Sequence, residues 1–177
     1  MREQLRVFVA TGTSKAFPRL LEAVRSLANE PQVELFVQRG MAGPSFSELP
    51  GEDFIAREEF AERLVWADVV VCHGGAGALY EAHVAGHRPI VVPRLARFGE
   101  HVNDHQIELA TTLANADKAV LCNDVSRLRE VVLSAKRRGP AIAVQPELVA
   151  AVREELLTQR RTSALARAKS LLSRLRA

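Results

Sequence analysis

Short apolar runs alternate along this chain with longer segments whose apolar residues recur at helical spacing. The continuous apolar runs predict strands at residues 5–10, 33–37, 68–72, 89–92 and 119–121, and a further short strand is predicted at Phe54 and Ile55. Helices are predicted at residues 17–29, 58–66, 103–114 and 126–136, and from residues 78 and 146 onward. Because strands that alternate with helices imply βαβ units, the predicted fold class is α/β, with a doubly wound parallel sheet covered on both faces.

The composition suits one folded domain followed by a basic tail. The chain has 177 residues, 47% of them hydrophobic, which is enough for one sizeable core. We place this domain at residues 1–145 and predict that residues 146–177 form a basic amphipathic helical segment. Its apolar residues and its arginines recur at regular spacing: Leu165, Ala168, Leu172 and Leu175, and Arg160, Arg167 and Arg174. This segment either closes its own domain, docks on a partner or lies on an anionic membrane.

Charge and residue content exclude several classes of function. The net charge is +3, but residues 153–177 hold seven basic and two acidic residues, so the rest of the chain is mildly acidic. A nucleic-acid partner is not expected, because the folded domain is not basic and only 5% of residues are aromatic. No apolar run approaches the roughly 20 residues of a membrane helix, and no signal-peptide pattern precedes the first strand. Cys72 and Cys122 lack metal spacing, which predicts reduced core thiols in a cytoplasmic protein.

The sequence HGGAG at residues 73–77 lies between a predicted strand and a predicted helix. Small residues let backbone N–H groups approach a phosphate, and the helix dipole favours an anion there, although a tight turn would need the same glycines. A nicotinamide-dependent enzyme is a weaker interpretation. Tyr80 replaces the third glycine of the dinucleotide fingerprint, and no acidic residue follows Val92. The GTSK sequence at residues 12–15 lacks the spacing of a P-loop.

Polar residues follow this loop at two further places. Glu81 would remain near the N-terminal end of the helix, where a carboxylate can accept hydrogen bonds from two ribose hydroxyls. Alternatively, it is a solvated residue favoured by the helix dipole. Asp104, His105 and Gln106 carry groups suited to sugar hydroxyls. Asn103 or Asp104 would equally cap the helix that follows. Together with the glycine loop, these residues can hold a sugar nucleotide.

Two other features of the sequence are less specific. His101 and His105 are spaced for one helix face, but Val102 stands where a zinc-binding HExxH motif has glutamate, and there is no third ligand cluster. Neither a metal nor a cofactor is therefore predicted. Arg94 and Arg97 either pair with the carboxylate of a uronic acid or, as we expect, are surface charges.

In this order and spacing, the motifs resemble the C-terminal, nucleotide-sugar-binding domain of glycosyltransferase family 28. The resemblance covers roughly residues 5–125 and includes VFVATGTSKAFPRLLEAV, ADVVVCHGGAGALYE and GEHVNDHQ. This family includes the small subunit of the two-subunit dolichol-pathway N-acetylglucosaminyltransferase and the peptidoglycan transferase that adds N-acetylglucosamine to a lipid carrier. The resemblance is nearer still to bacterial exopolysaccharide subunits of PssE type, which are small donor-binding subunits of two-subunit UDP-sugar transferases. The resemblance implies a Rossmann-like domain equivalent to the C-terminal half of a two-domain, GT-B type glycosyltransferase.

The resemblance also implies a role for each motif. His73 and the N–H groups of residues 75–78 would meet the diphosphate of a UDP-sugar, Glu81 would take the ribose, and residues 54–57 would border the uracil. Many relatives have serine or threonine where Ala78 stands, so backbone donors must suffice here. Gly12 and Thr13 would line the cleft beside the donor, and Asp104, His105 and Gln106 would meet the donor sugar or its phosphate. The implied donor-binding residues are Gly12, Thr13, His73, Gly74, Gly75, Ala76, Gly77, Ala78, Glu81, Asp104, His105 and Gln106.

The resemblance further implies that this domain works with a second, acceptor-binding half. The implied partner is a membrane-associated subunit that recruits this chain to the inner face of the membrane and supplies the general base. The implied activity is that of the donor-binding catalytic subunit of an inverting glycosyltransferase, which moves a sugar from UDP-sugar to a lipid-linked saccharide acceptor in polysaccharide biosynthesis. His73 is the candidate for stabilising the leaving group. The alternative is a non-catalytic nucleotide-sugar-binding subunit that regulates or assembles a complex.

Overall fold

Six parallel strands form one sheet, and helices connect them. The computed structural model describes residues 4–135. The strands are β1 (Leu5–Ala10), β2 (Val33–Gln38), β3 (Gly51–Glu52), β4 (Val69–His73), β5 (Ile90–Val92) and β6 (Val120–Leu121). The helices are α1 (Pro18–Ala28), α2 (Arg57–Trp66), α3 (Ala76–Val84), α4 (His105–Asn115) and α5 (Leu128–Ser134). The strand order is β3-β2-β1-β4-β5-β6, and every neighbouring pair is parallel, so the predicted α/β fold is confirmed.

The apolar pattern of the sequence explains which surfaces are buried. In the central strands β1 and β4, consecutive side chains are buried on both faces of the sheet, as expected of strands covered by helices on each side. In α1, the buried residues recur at helical spacing and join the core cluster under the sheet: Leu20, Leu21, Val24 and Leu27. One face of this helix therefore packs against the sheet, and Pro18 at its first turn fixes where it begins.

The third strand differs from the prediction. It is Gly51–Glu52, and it pairs with Val37 and Gln38 of β2, whereas Phe54 and Ile55 follow it. A Cβ on Gly51 would lie 2.1 Å from the carbonyl oxygen of Val37, so only glycine allows the two backbones to approach this closely. The prediction followed the strand propensity of Phe54 and Ile55, and it was wrong because a backbone contact, and not side-chain propensity, decides this pairing.

Two helix starts also differ by about half a turn. The helix after the glycine loop begins at Ala76 and not at Ala78, so Gly77 lies within its first turn. The helix after the polar cluster begins at His105 and not at Asn103. Near the end of the described residues, a short 3₁₀ turn (Val125–Arg127) precedes α5 where one continuous helix is predicted. The predicted helical segment at residues 146–177 lies outside the described residues.

The strand order creates a crevice beside β1. The chain runs outward from β1 through β2 to β3, then returns to β4 on the other side of β1 and continues to β6. In open α/β sheets, ligands bind at the carboxyl ends of the strands where the order reverses in this way. This point lies between the ends of β1 and β4, so the loops after Ala10 and His73 border the crevice.

Two further observations concern the cysteines and the length of the helices. Cys72 and Cys122 are both buried and unpaired, and burial raises the pKa of the Cys72 thiol to about 12, so this thiol stays protonated and unreactive. Within residues 4–135, no helix combines the length and the apolar character that crossing a bilayer requires.

Candidate functional site

Three loops meet at the carboxyl edge of the sheet. We call residues 11–17 the β1 loop, residues 74–75 the β4 loop and residues 93–104 the β5 loop. Each follows a strand of the central part of the sheet, and each contains residues that the sequence predicts to bind a donor. The structure therefore brings the three predicted groups of site residues to one edge.

The His73 ring lies between two glycines. A Cβ on Gly12, in the β1 loop, would lie 2.7 Å from His73 Cε1, and a Cβ on Gly75 would lie 2.2 Å from His73 Nε2. Gly12 also has a φ of 85°, which favours glycine. Packing against the ring thus accounts for both glycines without a ligand, while Thr13, the next residue, is exposed.

Burial keeps the His73 ring neutral. It lowers the pKa of His73 from 6.5 to about 4, and the nearby charge of Arg94 acts in the same direction, while the Ala10 carbonyl partly opposes the shift. His73 Nδ1 is buried and makes no hydrogen bond within residues 4–135. At neutral pH, this side chain can therefore serve a phosphate as a neutral N–H donor, not as a cation.

The first turn of α3 presents free backbone donors. The first helical hydrogen bond runs from the Leu79 N–H to the Gly75 carbonyl (3.1 Å), which leaves the N–H groups of Ala76, Gly77 and Ala78 without helical partners. No side chain caps this end of the helix. A Cβ on Gly77 would meet nothing within 4 Å, so internal packing does not require glycine there and the approach to these amides is open.

The predicted ribose-binding residue lies beside the predicted uracil-binding segment. Glu81 is one-third exposed, and its Oε1 lies 3.8 Å from Nε of Arg57, whose side chain is 85% exposed. Phe54, at the other end of the segment 54–57, is 53% exposed. The structure thus brings Glu81 and this segment together on one side of α3, and their ion pair is too exposed to be needed for folding.

Gln106 joins the β4 loop to the β5 loop. Its side chain is 3% exposed, and its Oε1 accepts hydrogen bonds from the N–H groups of Gly74 (3.1 Å) and Arg94 (3.0 Å). The N–H of Gly74 is therefore already occupied, and a Cβ on Gly74 would lie 2.8 Å from Gln106 Cβ. These two predicted contact residues border the site and hold its loops together.

Asp104 and His105 lie at the start of α4. Asp104 occupies the N-cap position, but its Oδ1 accepts a hydrogen bond from the Ala96 N–H (2.8 Å) and none from α4, so the predicted capping by its side chain is not observed. His105 contacts the side chain of Asn103, and its ring lies edge-on to that of His101 with centroids 4.4 Å apart. Burial, followed by the charge of His105, lowers the pKa of His101.

A cavity of about 300 Å³ opens next to Asp104. It lies between the β5 loop, the first turn of α4 and the loop after β6. Its polar groups are a guanidinium, a carboxylate and an amide, and its apolar surface comes from two aliphatic side chains. The lining residues are Leu95, Arg97, Asp104, Ile107 and Asn123.

The prediction that Arg94 is a surface charge was wrong. Arg94 is 1% exposed, whereas Arg97 is exposed as expected. An ion pair also escaped the sequence analysis: Arg19 binds both carboxylate oxygens of the buried Glu100 (2.8 Å each) and thereby anchors the β5 loop to α1. The one local signal for Arg94 is its position directly after the IVVP strand, because that position falls on the edge where the loops converge.

No group of three or more histidine, cysteine, aspartate or glutamate side chains is arranged to hold a metal ion within residues 4–135. The pair formed by His101 and His105 accordingly has no third ligand of these types in the described part of the chain.

Comparison with known proteins assigns the family. The model of the glycosyltransferase family 28 C-terminal domain matches residues 6–159, so the chain belongs to this family. The chain is 34% identical over 131 residues to the UDP-N-acetylglucosamine–N-acetylmuramyl-(pentapeptide) pyrophosphoryl-undecaprenol N-acetylglucosamine transferase of Xanthomonas euvesicatoria pv. vesicatoria. The match covers 66% of this chain and 28% of that protein.

Solved structures show the same fold. MurG of Acinetobacter baumannii superposes with a TM-score of 0.57 at 21% identity, covering 75% of this chain and 44% of that chain. ALG13 superposes with a TM-score of 0.55 at 16% identity, covering 82% of this chain and 93% of that chain. The Rossmann-like domain is thus equivalent to the C-terminal half of a GT-B type glycosyltransferase.

Proposed function

We propose that this chain is the donor-binding, catalytic half of an inverting glycosyltransferase that moves a sugar from a UDP-sugar to a lipid-linked acceptor. The observation that carries the proposal is the open first turn of α3, where three backbone N–H groups without helical partners lie next to the His73 ring at the switch point of the sheet. Family membership supports a nucleotide-sugar donor. The named activity of the Xanthomonas relative makes UDP-N-acetylglucosamine the first donor to test.

The geometry supports one direction for the donor across the site. The diphosphate would lie on the amides of Ala76, Gly77 and Ala78, where the helix dipole favours an anion. The uridine would extend along α3, with its ribose on Glu81 and its base near residues 54–57. The sugar would extend the other way, past His105, into the cavity beside Asp104, whose polar groups suit sugar hydroxyls.

The reaction that fits this placement is a single displacement. An acceptor hydroxyl oxygen forms a bond to C1 of the sugar, the bond from C1 to the β-phosphate oxygen breaks, and the configuration at C1 inverts. The acceptor proton passes to a general base, which we place on the acceptor-binding half. The electron pair leaves with UDP, and the three α3 amides together with the neutral His73 N–H stabilise the added negative charge on the β-phosphate. This scheme needs no metal ion if these N–H donors stabilise the charge.

The acceptor site belongs to another part of the enzyme in this proposal. The chain spans 28% of the length of the Xanthomonas transferase, and the described residues form one sheet. We place the lipid-linked acceptor and the general base on a membrane-associated partner subunit. The predicted role in exopolysaccharide synthesis and the predicted recruitment to the inner face of the membrane remain parts of this proposal.

A non-catalytic, nucleotide-sugar-binding subunit is the second candidate. Ala78 favours it, because the first turn of α3 then offers a phosphate no side-chain hydroxyl at this position. The two candidate functions predict different results for one mutation, measured in the complex with the partner. Glu81→Ala should abolish sugar transfer if this chain binds the donor that reacts, whereas a regulatory subunit would lose only its response to the nucleotide sugar.

The first experiment is calorimetric titration of the purified chain with UDP, ADP and NAD. We expect UDP to bind selectively, and we expect the Glu81→Gln variant to bind it more weakly and to lose discrimination between UDP and 2′-deoxy-UDP. Glu59→Gln is the matched control, because Glu59 is similarly exposed and pairs with Arg63 on α2 (3.0 Å). Binding of NAD or ADP as tightly as UDP would contradict a uridine site.

A further inference from the structure

Arg94 is a buried cation without a carboxylate hydrogen-bond partner among the described residues. Within residues 4–135 it is the largest fully buried side chain, and its Nε makes no hydrogen bond there. Burial lowers the pKa of this guanidinium, with the charge of Glu100 opposing the shift. Removing such a group from water is costly, and arginine stays charged in proteins. A buried arginine is therefore expected only where hydrogen bonds compensate for the lost water.

Among the described residues, the side-chain hydrogen bonds of Arg94 all go to backbone carbonyls of two loops. Its Nη2 donates to the carbonyls of Thr11 (2.7 Å) and Lys15 (2.6 Å). Its Nη1 donates to the carbonyls of Ala16 (3.1 Å) and Glu100 (3.2 Å). Three of these carbonyls belong to the β1 loop and one to the β5 loop, and the guanidinium also lies 4.8 Å from the ring centroid of Phe17.

Residue 94 is also connected to the third loop of the site. Its backbone N–H donates to Gln106 Oε1, which accepts a second hydrogen bond from the Gly74 N–H. Thr11, held by the guanidinium, directly precedes Gly12, and Gly12 is one of the two glycines that enclose the His73 ring. A continuous set of contacts therefore runs from Arg94 through the β1 loop to His73.

We propose that Arg94 is a positioning residue of the candidate site: its guanidinium fastens the β1 loop to the β5 loop and thereby keeps Gly12 and the His73 ring in the arrangement that leaves the α3 amides open to a diphosphate. The part of this inference that concerns the diphosphate rests on the proposed function. The planar fork of arginine is required for this role, because a lysine ammonium cannot reach four carbonyls on two loops at once.

The first test needs no ligand. His73 is titrated by NMR in the full-length wild-type chain and in the Arg94→Lys, Arg94→Met and Arg25→Met variants. The groups acting on the His73 ring are the charges of Arg94 and His101, the Ala10 carbonyl and the burial itself. Arg25 is the matched control, because it also donates to a backbone carbonyl (Ser45, 2.9 Å) and lies 4.8 Å from a phenylalanine ring centroid, but near the other end of α1.

The lysine variant separates geometry from charge. In wild type and Arg25→Met, the pKa of His73 should stay near 4. In both Arg94 variants it should rise toward 6.5, because a loosened β1 loop admits water to the ring. A His73 pKa near 4 in Arg94→Lys would overturn the proposal, since the positive charge alone would then account for the effect. Arg94→Lys also keeps the test valid if Arg94→Met does not fold, which circular dichroism would reveal.

The second test measures the consequence for binding. UDP and uridine are titrated into the same four proteins. Loss of the Arg94 hydrogen bonds should weaken UDP binding by roughly tenfold in both Arg94 variants. Uridine binding should stay nearly unchanged, because only the diphosphate part of the ligand depends on His73. Equal losses for UDP and uridine would overturn the diphosphate part of the proposal. A wild-type chain that binds neither compound would refute the proposed function, while the His73 titration would still decide the role of Arg94 in positioning the ring.

Discussion

The ring of His73 lies so close to Gly75 that a Cβ on residue 75 would be 2.2 Å from His73 Nε2. The backbone of Gly75 (φ −80°, ψ 126°) is of a kind that any residue adopts, so no strain in the backbone requires glycine there. Only the steric contact with the His73 ring requires glycine at position 75. This contact links the packing of the β4 loop to the position of the imidazole of His73, which borders the α3 amides.

Gly75→Ala should therefore destabilise the protein through the ring. We expect a loss of roughly 1–3 kcal/mol in the free energy of unfolding, the usual cost of overpacking, together with weaker UDP binding. Urea denaturation of a double-mutant cycle with His73→Ala checks the cause. In the His73→Ala background, the cost of Gly75→Ala should nearly vanish; an undiminished cost would show that the glycine is needed for another reason.

Gly77→Ala should act in the opposite direction on stability. Its Cβ would enter open space in the first turn of α3, and replacing glycine by alanine in a helix raises the free energy of unfolding by about 0.5–1 kcal/mol. The added methyl group would at the same time crowd a phosphate on the α3 amides. Thermal denaturation and UDP titration of the same sample should thus show a more stable protein with lower affinity. Unchanged affinity would place the diphosphate elsewhere.

Stability should fall as the pH is lowered through the range set by His73. The unfolded chain takes up this proton near pH 6.5, but the folded protein resists until about pH 4 because the ring is buried. Full stability is present above pH 6.5, and roughly 3 kcal/mol is lost as the pH falls from there to about 4. His83, whose pKa is also lowered by burial, acts in the same direction.

Urea denaturation at several pH values measures this dependence. The His73→Gln variant serves as the control, since it lacks the titrating ring. Its free energy of unfolding should decline less steeply between pH 6.5 and 4 than that of the wild type, whatever its absolute stability. Parallel curves for the two proteins would mean that His73 does not carry the effect.

Gln106→Leu should destabilise the site more than Gln106→Glu. Leucine leaves the buried N–H groups of Gly74 and Arg94 without an acceptor, at a cost of roughly 2–4 kcal/mol for the two donors. Glutamate keeps an acceptor oxygen in nearly the same place. Chemical denaturation of both variants provides the comparison, and equal losses would show that the two hydrogen bonds are not what Gln106 contributes.

Much of the fold could be predicted because the decisive patterns are local. The apolar runs of β1 and β4 and the helical spacing in α1 each lie within one short stretch of sequence. The order of strand, glycine loop and helix around His73 also follows from neighbouring residues. By contrast, β3 was misplaced because its pairing depends on how closely Gly51 approaches Val37 on another strand.

The sequence by itself determined the parallel α/β architecture, the edge of the sheet at which the predicted site residues lie, and the family resemblance that the comparison confirmed. Only the tertiary structure decided what the individual polar side chains do there. Arg94 is buried because its hydrogen-bond partners, such as Thr11, lie about 80 residues away along the chain, and Gln106 is turned inward by a partner 32 residues away. Contacts over such separations leave no periodic trace in the sequence, since each depends on the geometry of loops that the whole sheet brings together.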